Sequence, residues 1–248
     1  MSEQNNFGLM SEEYNSARRG YPPEVFEYLK SLIKKDNPVT LDMGCGTGIS
    51  TRQLKQYAFE VIGADKDPAM IDMAMKQTID IPYIIAPANK LPFEANKFDL
   101  ITAFTAFHWF NDEESLLEIK RVMKENGIFF AALKTNRQDE NKDFKEGYSS
   151  ILKKYAGDSF DTTKDHFKKE FLNKAGFSEI TEKSFYVDEK YTVEEALVLL
   201  QSLSLWNLVE ENRKPEMLKE MKEFYESHLV DGFVIRSREI STFIAYKR

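Results

Sequence analysis

The stretch Val39–Ser50, VTLDMGCGTGIS, runs from a short apolar segment directly into three glycines at alternate positions, Gly44, Gly46 and Gly48. Glycine inside a regular element costs roughly 0.5–1 kcal/mol relative to alanine, so three together need a backbone reason. A strand that turns sharply into a helix, with a ligand lying against the main chain, supplies that reason. A tight turn without a ligand is the alternative.

The spacing of these glycines distinguishes between nucleotide-binding turns. The dinucleotide fingerprint G-x-G-x-x-G would place its third glycine at position 49, where this chain has Ile49. This disfavours a dehydrogenase. Asp65 ends the next apolar run, where a carboxylate can accept hydrogen bonds from both hydroxyls of a ribose. Together, the glycines and Asp65 are more specific for a ribose-containing ligand than either signal alone.

Short apolar runs alternate with helical patterns along the chain. This alternation predicts a single α/β domain over 1–248, a Rossmann-like doubly wound sheet that is mostly parallel. Asp67 and either Asn111 or Asp112 are the expected helix N-caps. A charged helical insert, about 139–175, precedes two later strands, and helices over about 192–229 separate them. The predicted strands are VTLDM, FEVIGAD, IPYIIA, DLITAFTAF, GIFFAAL, ITEKSFYVDEKY and FVIRSREISTFIAYKR.

Composition limits what this domain can bind. The chain of 248 residues has 41 acidic and 34 basic side chains and a net charge of -7, which argues against nucleic acid as a partner. Its single cysteine, Cys45, excludes an intramolecular disulfide. The first residues lack the basic start and apolar core of a leader, and no apolar run approaches the roughly 20 residues that span a bilayer. We therefore expect a cytoplasmic protein without membrane contact, either a monomer or a homodimer.

Three segments resemble a known family. LDMGCGTGISTRQL, VIGADKDPAMIDMA and LPFEANKFDLITAFTAFHWF are similar to class I S-adenosylmethionine-dependent methyltransferases. YNSARRGYPPEVFEYL and AFHWF resemble the type 11 small-molecule group, including trans-aconitate methyltransferase-like proteins. The resemblance covers about 14–133. It implies a seven-stranded sheet with the last strand antiparallel, helical caps (1–35 and the inserts of 135–248), a cofactor-binding core (38–134), and methyl transfer to an external nucleophile.

The resemblance also implies cofactor contacts. The glycines would admit the methionine part of S-adenosylmethionine, Asp42 would meet its ammonium group, and Asp65 would hold the ribose. Residues 88–89 would border the adenine, and 105–106 would flank the sulfonium. The implied cofactor-binding residues are Asp42, Gly44, Gly46, Gly48, Asp65, Lys66, Ala88, Asn89, Thr105 and Ala106.

Two positions depart from the family pattern near the adenine. Related proteins usually have an acidic residue where this chain has Pro87, which leaves the adenine amine to Asn89 or without that contact. They usually have an apolar residue where this chain has Lys66. The aliphatic stem of Lys66 could still cover the ring while its ammonium stays in water.

His108 is the candidate for catalysis. A sulfonium is already activated, so alignment of nucleophile, methyl and sulfur is the main requirement, and a general base is needed only if the nucleophile carries a proton. His108 follows the fourth strand and is a candidate base or substrate contact. A packed histidine within the aromatic turn of Phe107, Trp109 and Phe110 is the alternative.

Other residues are candidates for binding the acceptor. By resemblance, the N-terminal segment folds over the cofactor and acceptor, where Arg18 and Arg19 could clamp a carboxylate. A solvated basic helix face is the alternative. Trp206 either lines the acceptor pocket or belongs to the core. The predicted acceptor-binding residues are Tyr14, Arg18, Arg19, Tyr21, His108, Trp109 and Trp206.

Three functions remain open at this point. The first is a methyltransferase acting on an oxygen of a small molecule such as a carboxylate. The second is an RNA or protein methyltransferase, which would require a basic, aromatic-lined surface. The third is a noncatalytic S-adenosylmethionine-binding module. We expect no metal, because His108, His166 and His228 are too dispersed for a zinc site.

Overall fold

A computed structural model of the protein describes residues 18–137, 141–157 and 169–248. The strands are β1 (Val39–Met43), β2 (Glu60–Asp65), β3 (Tyr83–Ile85), β4 (Phe98–Phe104), β5 (Met123–Asn136), β6 (Ser178–Tyr191) and β7 (Val234–Tyr246). The helices are α1 (Pro23–Leu32), α2 (Ile49–Gln56), α3 (Pro68–Gln77), α4 (Glu113–Val122), α5 (Lys142–Ala156), α6 (Lys169–Lys174), α7 (Val193–Gln201) and α8 (Lys214–Ser227).

Seven strands form one sheet in the order β3-β2-β1-β4-β5-β7-β6. The pairs β1–β2, β1–β4, β2–β3 and β4–β5 are parallel. Strand β7 runs antiparallel to β5, because the amide of Arg137 donates to Ser237 while the amide of Lys247 donates to Gly127. The predicted fold class, including the antiparallel last strand, is confirmed.

The central strands are buried on both faces, which fits their position in the middle of the sheet. In β4 every residue except Asp99 is buried, and in β1 every residue after Val39 is buried. Helices cover both faces of such a sheet, so its strands lack the alternation of a half-exposed strand. Their carboxyl ends form the edge at which open α/β sheets bind ligands.

Side-chain caps fix where two helices begin. Asp67 accepts a hydrogen bond from the amide of Ala69 at 2.9 Å, and Asp112 accepts from the amide of Ser115 at 2.9 Å. The cap of α4 is thus Asp112, not Asn111. Helix α4 ends at Val122, because Met123 is extended and pairs with β4. No helix in the described ranges is both long and apolar enough to cross a membrane.

The described residues divide into two compact units. The core unit comprises 20–135, 169–185 and 240–248, and its apolar core includes Leu41, Ile101 and Phe129. The helical unit comprises 18–19, 136–137, 141–157 and 186–239, and its apolar core is contributed mainly by α5, α7 and α8. The single domain expected over 1–248 stays a prediction.

Candidate functional site

The glycine-rich turn joins β1 to α2, as the sequence predicts. Gly44, Gly46 and Gly48 have φ angles of 63°, 54° and 78°, in the left-handed region that other residues enter only with strain. Gly48 caps α2, and its carbonyl accepts from the amide of Arg52 at 2.9 Å. The turn itself therefore requires glycine at all three positions.

The free space beside Gly46 differs from that beside the other two glycines. A Cβ on Gly44 would lie 2.5 Å from the Cβ of Ala106, and one on Gly48 would lie 2.5 Å from the hydroxyl of Tyr83. A Cβ on Gly46 would meet nothing within 4 Å. Gly44 and Gly48 thus also serve close packing, whereas Gly46 borders open space where a ligand can approach the backbone.

Gly46→Ala tests whether that space receives the cofactor. We expect the variant to lose about 1 kcal/mol of stability from its left-handed backbone. Its added methyl group should weaken S-adenosylmethionine binding about tenfold or more, as measured by calorimetric titration. Gly232→Ala is the matched control, because Gly232 also has a positive φ with no neighbour within 4 Å. Equal affinities in the two variants would contradict a ligand at Gly46.

Asp65 holds the turn from the end of β2. One carboxylate oxygen accepts from the amide of Gly46 at 2.9 Å, and the other accepts from the amide of Asp67 at 3.0 Å. Burial raises the pKa of the Asp65 carboxyl, and these amide hydrogen bonds act in the opposite direction. A carboxylate has about four lone-pair positions, so Asp65 can still accept from a ribose hydroxyl while these amides are bound.

Asp42 lies fully buried beneath the same turn. Its carboxylate accepts hydrogen bonds from the hydroxyls of Ser50 at 2.9 Å, Thr51 at 2.7 Å and Thr102 at 2.8 Å. Burial raises the pKa of Asp42 to about 6. The carboxylate thus connects β1, the first turn of α2 and β4. Its predicted contact with the cofactor's ammonium stays a prediction.

Tyr83 supports the turn and was missed by the sequence analysis. A Cβ on Gly63 would lie 2.5 Å from the Tyr83 ring, so the ring takes the space above that glycine. Burial raises the pKa of Tyr83 to about 12, and the positive charge of the nearby Arg52 acts in the opposite direction. Gly63 was the available signal, since a glycine inside a strand often marks a close approach.

The predicted adenine-binding residues follow β2 and β3. These strands pair in parallel with Asp65 opposite Ile85, so Lys66 and the segment 87–89 lie at the same edge of the sheet. Lys66 and Asn89 are exposed, and Ala88 is half-buried. The Asn89 amide donates to Glu114 at 3.2 Å. Their contact with adenine stays a prediction.

A small pocket lies beyond the carboxyl end of β4. Residues 105–108 and 131–133 line it, so Thr105, Ala106 and His108 are brought together. His108 is half-buried, and its ring lies 4.8 Å from that of Trp109, which is 52 % exposed. This end of β4 is where the sulfonium is expected.

Arg18 and Arg19 belong to the helical unit. Arg19 forms an ion pair with Glu195 at 2.7 Å, and its guanidinium lies 5.0 Å from the centre of the Tyr191 ring. Arg18 donates to the carbonyl of Ser202 at 3.4 Å. Arg19 thus has a carboxylate partner within its own unit, and the predicted carboxylate clamp stays a prediction.

Trp206 and Tyr14 were also predicted to bind the acceptor. Trp206 is 9 % exposed and packs in the apolar core of the helical unit, as in the core alternative. Tyr14 lies outside the described residues.

The comparisons with known proteins agree with this architecture. A model of the methyltransferase domain family matches residues 41–131. An uncharacterized methyltransferase of Schizosaccharomyces pombe is 30% identical over 219 residues, which are 87% of this chain and 85% of that protein.

Two solved structures show the same fold. A protein of Anaeromyxobacter dehalogenans described as a type II methyltransferase has a TM-score of 0.68 at 20% identity, covering 93% of this chain and 97% of that one. Phosphoethanolamine N-methyltransferase 2 of Haemonchus contortus, in complex with phosphomonomethylethanolamine and S-adenosylhomocysteine, has a TM-score of 0.56 at 18% identity. That match covers 99% of this chain and 59% of the other.

Proposed function

Since this chain belongs to the methyltransferase family, we propose that it transfers a methyl group to an oxygen of a small acid, within the trans-aconitate methyltransferase-like group. Its cofactor is S-adenosylmethionine. The observation that carries the cofactor part of this proposal is the open space at Gly46 beside the half-buried Asp65 carboxylate.

The residues at the turn fit this cofactor. Gly46 leaves room for the methionine part against the backbone, and Asp65 has the lone pairs to accept from the ribose hydroxyls. When bound, the cofactor supplies a methyl group on a positively charged sulfur. Thr105 and Ala106 would flank that sulfur at the end of β4. The chain's own task is then to align the acceptor and exclude water.

The pocket beyond β4 favours an acceptor that needs no deprotonation. Six of its seven lining residues have no group that titrates near neutral pH, and His108 is the exception. An ionised carboxylate attacks without a general base, which suits such a lining. His108 would then position the acceptor through a hydrogen bond from its ring.

His108→Ala distinguishes an acid from other acceptors. If the acceptor is a carboxylate, we expect transfer to continue at a reduced rate, because only positioning is lost. A hydroxyl or amine acceptor that needs a base should lose roughly 100- to 10,000-fold. The measurement is transfer of label from S-adenosylmethionine to a cell metabolite extract. His228→Ala is the control, because His228 lies in the helical unit against Phe224.

The chemistry of the labelled product decides the acceptor class. A base-labile methyl ester supports the proposal. A base-stable ether, thioether or methylamine overturns it. Label in RNA or protein would favour the macromolecular alternative, and cofactor binding without any labelled product would favour a noncatalytic module.

A further inference from the structure

The side-chain amide of Gln53 forms two hydrogen bonds with the backbone of Tyr21. The amide of Tyr21 donates to the Gln53 side-chain oxygen at 2.9 Å, and the Gln53 side-chain nitrogen donates to the carbonyl of Tyr21 at 2.8 Å. A Cβ on Gly20 would lie 2.5 Å from that side-chain oxygen. A single side chain of α2 therefore fixes the segment just before α1, and a side chain at position 20 would displace the Gln53 amide.

Lys134 holds the same segment from β5. Its ammonium donates to the carbonyl of Gly20 at 2.7 Å and lies 4.9 Å from the centre of the Tyr21 ring. The ring also packs against Phe104 of β4, with 4.7 Å between ring centres. With its backbone hydrogen-bonded to Gln53 and its ring in contact with Lys134 and Phe104, Tyr21 is held in one place.

The hydroxyl of Tyr21 is held against a strained residue. It is hydrogen-bonded to the hydroxyl of Thr105, which has a φ of 51°. A left-handed backbone costs a β-branched residue about 1–2 kcal/mol, and such strain is concentrated at functional sites. The same Thr105 oxygen accepts from the amide of Lys134 at 3.3 Å. Thr105 also lines the pocket beyond β4.

We propose that Gln53 and Lys134 are positioning residues, which hold the Tyr21 hydroxyl beside Thr105 so that the pair donates a hydrogen bond to the acceptor's carboxylate. The two hydroxyl groups carry two hydrogens, and the bond between them uses one. The other hydrogen can be donated to an oxygen of the methyl acceptor. The Lys134 ammonium adds a positive charge that favours an anionic acceptor. This inference rests on the proposed function, because it assigns the acceptor contact of that site.

A double-mutant cycle tests whether Gln53 acts through Tyr21. We expect Tyr21→Phe to lower transfer to the acids of a metabolite extract about 10- to 100-fold and Gln53→Ala about 10-fold, with S-adenosylmethionine affinity within twofold of wild type. The double variant should be no slower than Tyr21→Phe alone. Gln53→Glu retains an acceptor for the Tyr21 amide but no donor for its carbonyl, so it should fall between wild type and Gln53→Ala.

Hydrogen exchange tests the hydrogen bonds between Gln53 and Tyr21 without a methyl acceptor. In Gln53→Ala, and less strongly in Lys134→Met, the Tyr21 amide should exchange about tenfold faster or more. Gln56→Ala is the matched control, because Gln56 is exposed on the same helix. Unchanged exchange in Gln53→Ala, or additive losses in the cycle, overturns the positioning role. If wild-type protein methylates no small molecule, the proposed function fails, and the acceptor role of Tyr21 fails with it.

Discussion

Replacing Asp42 with alanine is expected to lower the free energy of unfolding by about 3–5 kcal/mol at neutral pH. The substitution removes the common acceptor of Ser50, Thr51 and Thr102, and each buried hydroxyl left without a partner costs about 1–3 kcal/mol. Part of this loss is offset, since the buried charge itself is unfavourable. Urea unfolding followed by circular dichroism measures the difference. A loss below about 1 kcal/mol would contradict the structural role.

Asp42→Asn separates the shape of this side chain from its charge. The folded pKa of Asp42 is raised from 3.8 to about 6, so its contribution to stability is fully present below about pH 4 and is lost as pH rises through 6. A shift of that size corresponds to about 3 kcal/mol. Asparagine does not titrate, so the stability of wild type relative to Asp42→Asn should fall by about that amount between pH 4 and 7. A stability difference that does not change with pH would show that the pKa of Asp42 is not raised in the folded protein.

Asp65→Ala is expected to weaken S-adenosylmethionine binding about 10- to 150-fold, which corresponds to about 1.5–3 kcal/mol. The carboxylate would meet the ribose, and it also holds the amide of Gly46 in place. Both effects act on the same ligand, so the affinity should fall more than for Gly46→Ala. Calorimetry on a folded variant provides the measurement.

The control for Asp65 is its neighbour Asp67. Asp67 caps α3 through the amide of Ala69, so Asp67→Ala should cost about 1 kcal/mol of stability. Its cofactor affinity should stay close to that of wild type. Unchanged affinity in Asp65→Ala, or an equal loss in both variants, would refute the ribose assignment. A nicotinamide dinucleotide should not compete for the site in wild type.

The repeating patterns of the chain predicted the strands and a mostly parallel sheet, and the family resemblance added the antiparallel last strand. Apolar runs and helix caps are local signals, so the seven strands, the cap at Asp67 and a cap at either Asn111 or Asp112 could be predicted from the sequence. Element ends were less accurate. The run predicted to continue to Phe107 stops at Phe104, because Thr105 turns into the left-handed region and a short helical turn follows.

The supports of the site could not be predicted in the same way. Gln53 meets Tyr21, 32 residues earlier in the chain, and Lys134 meets Gly20 across 114 residues. No local pattern encodes such pairs, because each depends on strand order and on the exact turn of a helix. The glycines and Asp65 were recognisable because their residue types and spacing already reflect the chemistry of a nucleoside ligand.

The ring of Tyr83 has a consequence for sequence variation among relatives. It fills the volume that side chains at Gly48 and Gly63 would need, so the three positions cannot change independently. A relative with a small residue at position 83 would lose the main obstacle to alanine at position 63, where the backbone is ordinary strand, and the Cys45 sulfur, 3.1 Å from the added Cβ, would have to shift slightly. Position 48 would still demand glycine because of its φ of 78°. Covariation should therefore link 63 with 83 and leave 48 constant.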